Sequence, residues 1–264
     1  MTPELIQEIA ADRVLLLRLN RPEKRNALAT PLLESIVAAL VEADRDDENR
    51  AVVLTGNDKV FAAGADLDEL AAAASHDELE SPRFRAWSAI RSFPKPLIAA
   101  VEGWCLGAGM ELMLSADLVV ASEGARFGQP ETNLGIIPGA GGTAILPRLV
   151  GRSLAMEMVL TGEPIGAERA LSAGLVAKVV PDGEALAHAL DLASKLASRA
   201  PGALRAAKAS LCQAEELSLN DHLLTERKVF LGLMSGSEKA EGIAAFREKR
   251  MPNWMVAAGR SDKE

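Results

Sequence analysis

The sequence is poor in cysteine, and this excludes whole classes of site. Its two cysteines, Cys105 and Cys212, lie far apart among 264 residues, with no further ligand at metal-binding spacing. Neither a disulfide framework nor a zinc site is therefore expected. Free thiols fit a reducing compartment, so we expect a cytoplasmic protein that holds no metal ion.

Long apolar runs are also lacking. The most apolar stretch, residues 96–121, is interrupted by Glu102, Glu111 and Asp117, so no window reaches the ~18 uncharged apolar residues of a membrane span. The N-terminal segment carries acidic side chains, the first at Glu4, where a secretory signal needs an apolar core. We expect no membrane association.

Blocks of basic residues are missing too. The formal net charge is −8, and lysines and arginines are interspersed among the acids. Nucleic acids and anionic membranes attract proteins through clustered positive charge. Nucleic-acid binding is therefore not expected.

What the chain has is apolar composition and a recurring pattern of strands and helices. With 48% hydrophobic residues, it can bury one large core, with or without an appendage. The helix between the last two predicted strands is too short for a parallel crossover, which predicts ββα units stacked along a spiral instead of a doubly wound sheet. Strands are predicted over residues 5–10, 13–19, 51–56 and 117–122, and residues 96–103 are predicted as a strand followed by a turn. Helices are predicted over 30–44 and 108–115, the first with Thr30 as N-cap.

From residue 140 onward the pattern is helical. Apolar side chains near the C-terminus, among them Leu224, Leu231 and Leu233, must be buried against something, so we expect subunit contacts there. The chain divides into a core domain, residues 1–200, and a helical oligomerisation region, residues 201–264. Capping signals predict helices over residues 141–150, 153–161, 166–172, 182–199, 201–214, 218–235 and 237–249, with a strand over 175–180.

The first candidate site is a turn of small residues after a buried strand. Residues 61–67 read Phe-Ala-Ala-Gly-Ala-Asp-Leu and lead into a helical stretch. Gly64 suits the positive φ of a tight strand-to-helix turn, which is a purely structural explanation. The alternative is that the N–H of Ala65 is unpaired and directed at a ligand, as N–H groups in the first turn of a helix often are.

A second turn of this kind, residues 107–109, precedes the helix that carries Glu111 and leaves the N–H of Ala108 available. Two such N–H groups converging on one point would form an oxyanion hole. An oxyanion hole stabilises the enolate-like charge that develops when a conjugated thioester is attacked. Such a reaction needs no side-chain nucleophile.

Two glutamates stand close to these turns. Glu111 belongs to a short, otherwise apolar helix, and Glu131 follows Pro130. Apolar surroundings raise the pKa of a carboxyl group toward the range in which it exchanges protons. Each residue also has an ordinary explanation, Glu111 as a solvent-facing rim position and Glu131 as a capping or loop carboxylate. Together with the two donor turns, the pair favours a shared acid–base reaction.

Two nucleotide-binding alternatives deserve comparison. Residues 107–109, Gly-Ala-Gly, match half of a dinucleotide-binding fingerprint, but Leu112 occupies the third glycine position and the helix is too short for a βαβ crossover. Residues 138–143 look like a phosphate loop, yet no Gly-Lys-Ser/Thr follows. Neither alternative is favoured.

Seven segments, residues 20–28, 61–66, 95–103, 107–111, 125–131, 134–143 and 241–250, follow one another in a recognisable order. Over essentially the whole chain they resemble the crotonase, or enoyl-CoA hydratase/isomerase, family. The resemblance implies an α/β fold, a crotonase-like spiral of ββα units with a C-terminal helical trimerisation region. It also implies a homotrimer or homohexamer.

The resemblance further implies roles for individual residues. The substrate would be an acyl-CoA thioester that carries coenzyme A itself, so no separate cofactor is implied. Ala65 and Ala108 would provide the oxyanion-hole N–H groups, Ala27, Leu28, Ala63, Asp66 and Leu67 would line the coenzyme A path, and Phe246 and Lys249 would reach the coenzyme A of a neighbouring subunit, where the lysine could meet a phosphate.

In family hydratases two glutamates hold one water. The position matching Glu111 activates the water, and that matching Glu131 supplies the proton to the α-carbon. This implies reversible syn-hydration of a trans-2-enoyl-CoA to a 3-hydroxyacyl-CoA, in fatty-acid or related acyl-CoA degradation. A Δ3-Δ2-enoyl-CoA isomerase, or a non-catalytic scaffold that binds acyl-CoA or RNA, is the alternative, because a fold does not fix a function.

The chain departs from the family pattern at a few positions. Glu102 stands where an asparagine is usual, and Ala144 and Ile145 replace a Gln-Arg pair. Thr132 and Asn133 are more polar than the aliphatic pair usual beside the second glutamate. These two residues raise the alternative of an acyl group with a polar or carboxylated tail.

Overall fold

The core contains two β-sheets. The computed structural model describes residues 3–72 and 81–254. The larger sheet has the order β1-β2-β3-β5-β7-β10 and the smaller one the order β4-β6-β8-β9. The strands are β1 (Leu5–Ala11), β2 (Val14–Leu19), β3 (Ala51–Thr55), β4 (Val60–Ala62), β5 (Leu97–Val101), β6 (Trp104–Leu106), β7 (Leu118–Ser122), β8 (Arg126–Gly128), β9 (Ile165–Gly166) and β10 (Lys178–Val180).

From β3 to β8, successive strands in the chain belong to different sheets. The first member of each pair, β3, β5 or β7, lies parallel to its neighbours in the large sheet. The second members, β4, β6 and β8, lie parallel to one another in the small sheet, and β9 is antiparallel to β8 at its edge. The chain therefore advances by one ββ step per turn. This confirms the predicted spiral.

The helices follow the predictions closely after residue 140. Gly151 has a φ of 77° and interrupts the long helix after β8. The break lies between the two helices that the sequence predicts over residues 141–150 and 153–161. The helix after residue 81 was not predicted. The helices are α1 (Thr30–Arg45), α2 (Leu67–Ala72), α3 (Pro82–Arg91), α4 (Ala108–Leu114), α5 (Gly142–Thr161), α6 (Ala167–Ser172), α7 (Ala185–Ala197), α8 (Pro201–Gln213), α9 (Leu219–Met234) and α10 (Ser237–Glu248).

The start of α1 differs from the prediction in one respect. Ala29 is its N-cap residue and Thr30 is its first helical residue. The carboxylate of Glu69 on α2 accepts hydrogen bonds from the backbone N–H of Thr30, at 3.0 and 2.9 Å, and from its hydroxyl at 3.1 Å. The prediction that Thr30 caps the helix is therefore wrong, because a carboxylate from α2 satisfies the donor instead.

Apart from its edge strand β1, the large sheet is buried on both faces. Alternate side chains, such as Val53 and Ile98, pack against the alanine stripe of α7, and the intervening ones, such as Val52 and Leu54, join the main core with Phe61. The unusual residue Glu102 has a structural role here. Its carboxylate accepts hydrogen bonds from the N–H groups of Gly183 at 3.2 Å and Ala185 at 3.0 Å, at the start of α7.

Polar contacts help to hold the C-terminal segment to the core. Neither α8 nor α9 has a buried residue. Lys208 on α8 pairs with Asp117 at 2.7 Å, and the indole of Trp254 donates to the carbonyl of Ser198 at 2.9 Å. Within residues 3–72 and 81–254, no helix is long and apolar enough to cross a membrane.

Candidate active site

A cavity of about 750 Å³ opens at one end of the small sheet. Parallel strands β4, β6 and β8 end side by side there, at Ala62, Leu106 and Gly128. Each strand is followed directly by one predicted element of the site. The cavity is lined by Ala27, Ala63, Ala65, Asp66, Leu67, Ala108, Glu111 and Glu131 of the predicted set, and by apolar side chains that include Leu70, Trp87 and Ile136.

The N–H of Ala65 points away from the neighbouring strand. Leu28 and Ala65 form a parallel bridge, in which the N–H of Leu28 donates to the Gly64 carbonyl at 2.8 Å and the N–H of Asp66 donates to the Leu28 carbonyl at 3.3 Å. The residue between two such bonds has its own N–H on the opposite side of the strand. Ala65 is also one of the residues that line the cavity.

The N–H of Ala108 belongs to the first residue of α4, where a helix provides no acceptor. Gly107 precedes it with a φ of 51° and a ψ of −129°. A side chain at Gly107 would place its Cβ 3.1 Å from Oε1 of Glu131 and 3.5 Å from Cα of Gly64. The backbone of the first turn and the carboxyl group of Glu131 therefore both lie close to the backbone of Gly107.

Glu111 is buried, with 3% of its surface exposed. Its Oε1 accepts hydrogen bonds from the N–H groups of Ala140 at 2.6 Å and Gly142 at 2.9 Å. Burial raises the pKa of this carboxyl group, while the two N–H donors and the positive charges of Arg83 and Arg91 act in the opposite direction. The donors and the positive charges thus keep the ionised form of the Glu111 carboxyl group accessible.

Glu131 is the first residue of a short 3₁₀-helix, Glu131–Leu134, and is 9% exposed. Burial, with a smaller contribution from the charge of Glu111, raises its pKa to about 7. With its amide nitrogen turned toward the carboxyl group, the buried Gln129 donates to both oxygens of Glu131, at 3.0 and 3.1 Å. Sequence reasoning missed Gln129, although a polar residue between a buried strand and Pro130 was a usable signal.

The two carboxyl groups are therefore not equivalent. Glu111 has two backbone donors and nearby guanidinium groups that favour its charged form, whereas the pKa of Glu131 is about 7. Environments that separate the pKa values of two acids assign one as base and the other as acid. The arrangement suits a reaction in which one proton leaves and another arrives on the same molecule.

Several predicted residues contribute in other ways or lie elsewhere. The Leu28 side chain is fully buried, and only its main chain meets the site. The Asp66 carboxylate binds Arg21 at 3.0 Å and the N–H of Asp68 at 3.0 Å, so it stabilises the turn. Phe246 is 85% exposed at the end of α10, and neither it nor Lys249 lines the cavity. Their contact with a neighbouring subunit stays a prediction.

Three further cavity residues come from α3, which the sequence did not reveal. Arg83, Phe84 and Trp87 line the cavity. Arg91, at the end of the same helix, donates to the Ala140 carbonyl at 2.9 Å. No group of three or more His, Cys, Asp or Glu side chains is placed to hold a metal ion within the parts of the chain that the structure describes.

Comparison with known proteins agrees with this geometry. The family model "Enoyl-CoA hydratase/isomerase" matches residues 10–256, so the chain belongs to the enoyl-CoA hydratase/isomerase family. The family resemblance predicted from the sequence is therefore confirmed.

Relatives and solved structures give the same family. The chain is similar to the 2,3-dehydroadipyl-CoA hydratase of Escherichia coli, with 51% identity over 92% of this chain and 95% of that protein. It is also similar to the mitochondrial enoyl-CoA hydratase of Pongo abelii, with 42% identity over 90% of this chain and 82% of that protein. The crystal structure of an enoyl-CoA hydratase from Bacillus anthracis superposes with a TM-score of 0.88 at 37% identity, covering 96% of this chain and 99% of the other.

Proposed function

We propose that this protein is an enoyl-CoA hydratase, a hydro-lyase that adds water reversibly and syn to a trans-2-enoyl-CoA to give a 3-hydroxyacyl-CoA. The observation that carries the proposal is the pair of buried, differently tuned carboxyl groups of Glu111 and Glu131. Both face one cavity beside the donor turns at Ala65 and Ala108. Coenzyme A enters as part of the substrate, and no other cofactor takes part.

The two N–H groups of Ala65 and Ala108 bind the thioester oxygen. As water attacks the β-carbon, electrons move through the conjugated system to this oxygen, and an enolate-like charge develops there. Preorganised donors of this kind contribute roughly 3–4 kcal/mol each to transition-state stabilisation. The apolar walls of the cavity strengthen the effect because they exclude water.

Glu111 acts as the base and Glu131 as the acid. A water between them gives one proton to the carboxylate of Glu111, and its oxygen bonds to the β-carbon. Glu131 gives its proton to the α-carbon, which restores the thioester carbonyl. A proton then returns from Glu111 to Glu131 through solvent, and the reverse sequence dehydrates the product.

The finer substrate assignment is also a proposal. The Escherichia coli relative is named for 2,3-dehydroadipyl-CoA, an acyl chain that ends in a carboxylate. Neither Thr132 nor Asn133 lines the cavity, and the hydroxyl of Thr132 donates to the carbonyl of Val159 at 3.1 Å, so the support for this assignment is the substrate of the relative. We therefore place the reaction in acyl-CoA degradation and include chains with a terminal carboxylate among its substrates.

Hydration of a panel of straight-chain, branched and carboxylated enoyl-CoA thioesters tests the proposal. We expect turnover by the wild type and losses of several orders of magnitude in Glu111→Gln and Glu131→Gln, with melting temperatures that show intact folding. Full activity in either variant contradicts the two-carboxylate mechanism. Isomerisation of a 3-enoyl-CoA without any hydration would favour the isomerase, and coenzyme A binding without turnover would favour the scaffold.

A further inference from the structure

A second pocket lies apart from the active-site cavity, between the core and the C-terminal helices. It has a volume of about 100 Å³, and its lining shares no residue with that of the active-site cavity. On the core side it is lined by Arg50, directly before β3, and by Lys95 and Pro96, directly before β5. On the other side it is lined by residues of α8 that include Arg205. The pocket is therefore a separate cavity at the amino ends of two strands of the large sheet.

Positive charge is concentrated around this pocket. Four of the ten described residues that line it are cationic and one, Asp47, is acidic. The chain as a whole carries a formal net charge of −8, so composition does not account for the concentration. The cationic residues are Arg50, Lys95, Arg199 and Arg205.

Two of these cations have partners within the chain. The Nζ of Lys95 donates to three backbone carbonyls between residues 43 and 49, at 2.6, 2.8 and 2.6 Å, which uses every donor of an ammonium group. Nη1 of Arg205 lies 3.2 Å from Oδ1 of Asp44. Lys95 and Arg205 thus contribute charge to the pocket, whereas most of their donors are already engaged.

Arg50 differs from them because its guanidinium has no such partner. Only 7% of the residue is exposed, and its Nε is buried without a hydrogen-bond partner. Among the residues that the structure describes, none forms a hydrogen bond or a close ion pair with the Arg50 side chain. A buried guanidinium without a partner is unfavourable. An anion in the pocket that Arg50 lines would provide this partner.

The surrounding charges do not compensate for the burial of Arg50. Burial, and then the positive charge of Arg13, lower its pKa, against a smaller opposing effect of the acids Glu48, Asp47 and Glu238. The charged form of the guanidinium is therefore disfavoured in the empty pocket. A bound anion acts in the opposite direction.

The size of the pocket limits which anion it can hold. One water molecule takes up about 30 Å³ in the liquid, so the pocket has room for a compact ion of a few heavy atoms and none for a nucleotide or an acyl-CoA. A tetrahedral oxyanion fits this volume. Its oxygens can also accept two parallel N–H bonds from one guanidinium.

We propose that this pocket binds a small inorganic oxyanion, phosphate or sulfate, and that Arg50 is its principal ligand. The ion neutralises the buried guanidinium and connects the start of β3 with α8. It therefore stabilises the attachment of the C-terminal helices to the core. Binding there is independent of the proposed hydration reaction, because the two cavities have no residue in common.

Titration calorimetry of the full chain with sodium phosphate tests the site. Sodium chloride keeps the ionic strength constant, so that the screening of surface charge does not change. We expect one saturable site per chain in the wild type, for which sulfate competes. Arg50→Met should weaken binding by about 10- to 100-fold, the range that hydrogen bonds to a charged group provide.

Two further variants serve as comparisons. Arg50→Lys keeps the charge and loses the planar fork, so its affinity for phosphate should lie between those of the wild type and Arg50→Met. Arg152→Met removes an exposed arginine of α5 that lines neither cavity, and it should bind phosphate as the wild type does.

Thermal unfolding provides a second measurement. In chloride alone, Arg50→Met should unfold at the temperature of the wild type or above it, because an apolar side chain replaces a buried charge that has no partner. Phosphate should raise the melting temperature of the wild type and of Arg152→Met as a saturable function of concentration. In Arg50→Met, only the general stabilisation by an ion excluded from protein surfaces should remain.

Three results would overturn the proposal. The first is the absence of saturable phosphate binding to the wild type. The second is an equal response of the wild type and Arg50→Met to phosphate. The third is a clearly lower melting temperature of Arg50→Met in chloride alone, which would mean that the guanidinium already has a stabilising partner within the protein.

Discussion

At the scale of single residues, Glu131 couples folding to pH. Its pKa rises from about 4.5 to about 7 on folding, chiefly through burial. Between these values the folded protein holds a proton that the unfolded chain has released, so the contribution of Glu131 to stability falls as pH rises through this window and is constant above it. Glu131→Gln removes this pH-dependent loss of stability.

We therefore expect Glu131→Gln to raise the free energy of unfolding at pH 8 by up to about 3 kcal/mol, since each pKa unit corresponds to about 1.4 kcal/mol. The difference from the wild type should shrink as pH falls toward 4.5. Urea denaturation at several pH values measures it, with Asn133→Ala as a neighbouring variant that removes no titratable group. A difference that does not change with pH contradicts the raised pKa.

The same pKa sets a limit on catalysis. Glu131 must carry a proton to act as the acid in hydration, so kcat/KM should fall about tenfold per pH unit above pH 7. A pH–rate profile with a slowly reacting enoyl-CoA measures this fall in kcat/KM on the alkaline side. Constant activity from pH 6 to pH 9 would assign the proton donor to another group.

Arg91 is expected to position Glu111 without touching the substrate. It donates to the Ala140 carbonyl, and the N–H of Ala140 donates in turn to Glu111. Loss of one such bond is worth about 1 kcal/mol, so Arg91→Met should lower kcat about 5- to 10-fold with little change in KM. Because the charge of Arg91 also lowers the pKa of Glu111, the acidic limb of the pH profile should move to higher pH.

Arg85→Met is the matched control for Arg91→Met, because Arg85 lies on the same helix and is exposed. It should leave both kcat and the pH profile unchanged. A loss of kcat in Arg91→Met without movement of the acidic limb would mean that Arg91 only stabilises the fold.

The residues that sequence reasoning found and missed differ in kind. Glu111 and Glu131 stood out because they are acids in apolar or turn segments. Arg83 is a polar residue in a segment where polar residues are ordinary, whereas Gln129 stands between a buried strand and Pro130, a signal that was not used. Gln129 follows strand β8 and turns toward the carboxyl group of Glu131, and Arg83 lines the cavity from helix α3. Pattern analysis found neither of these two elements.

At the scale of elements, α4 must approach β4 closely for the site to form. A Cβ at Gly109 would overlap the carbonyl of Ala62 and lie 2.7 Å from its Cβ. Backbone atoms cannot yield as a flexible side chain can, so Gly109→Ala should destabilise the fold by roughly 1–3 kcal/mol and displace Glu111. Thermal unfolding and hydration activity should both decrease.

Gly139→Ala is the comparison for Gly109→Ala. No atom lies within 4 Å of a Cβ at Gly139. This variant should keep the melting temperature of the wild type. Equal stability of Gly109→Ala and Gly139→Ala would contradict a close helix–strand approach.

The missed elements have physical explanations. β4, β6 and β8 have three residues each, which is too short for alternation of apolar and polar residues to appear. α3 did carry a recognisable start, because Ser81 caps it and Pro82 is its first residue. By contrast, the break of α5 at Gly151 was predicted, because Ser153 gives a capping signal for the start of a second helix.

At the scale of the whole molecule, the spiral brings together residues that are far apart in the chain. Each ββ step advances one strand along the small sheet, so the segments after β4, β6 and β8 become neighbours. One donor turn, a second donor turn with Glu111, and Glu131 therefore arrive in one place. The sequence predicted this convergence only through the family resemblance.

The C-terminal helices leave apolar side chains exposed in the single chain. Leu224 is 65% exposed, Leu231 53% and Phe246 85%. Surfaces of this kind are typical of subunit interfaces. We expect a homotrimer or homohexamer in solution, and Leu224→Glu combined with Leu231→Glu should convert it to smaller species. Light scattering coupled to size exclusion measures the mass.

Assembly should also affect the active site. If Phe246 and Lys249 reach the coenzyme A of a neighbouring subunit, the dissociated variant should show a raised KM for enoyl-CoA, and Lys249→Ala should raise KM without changing the mass. Glu226→Gln changes an exposed polar side chain on α9, the helix that carries Leu224 and Leu231. This variant should change neither the KM nor the mass. The prediction is contradicted if the wild type is monomeric or if the dissociated variant keeps the KM of the wild type. Either result would mean that the cavity residues of a single subunit suffice to bind coenzyme A.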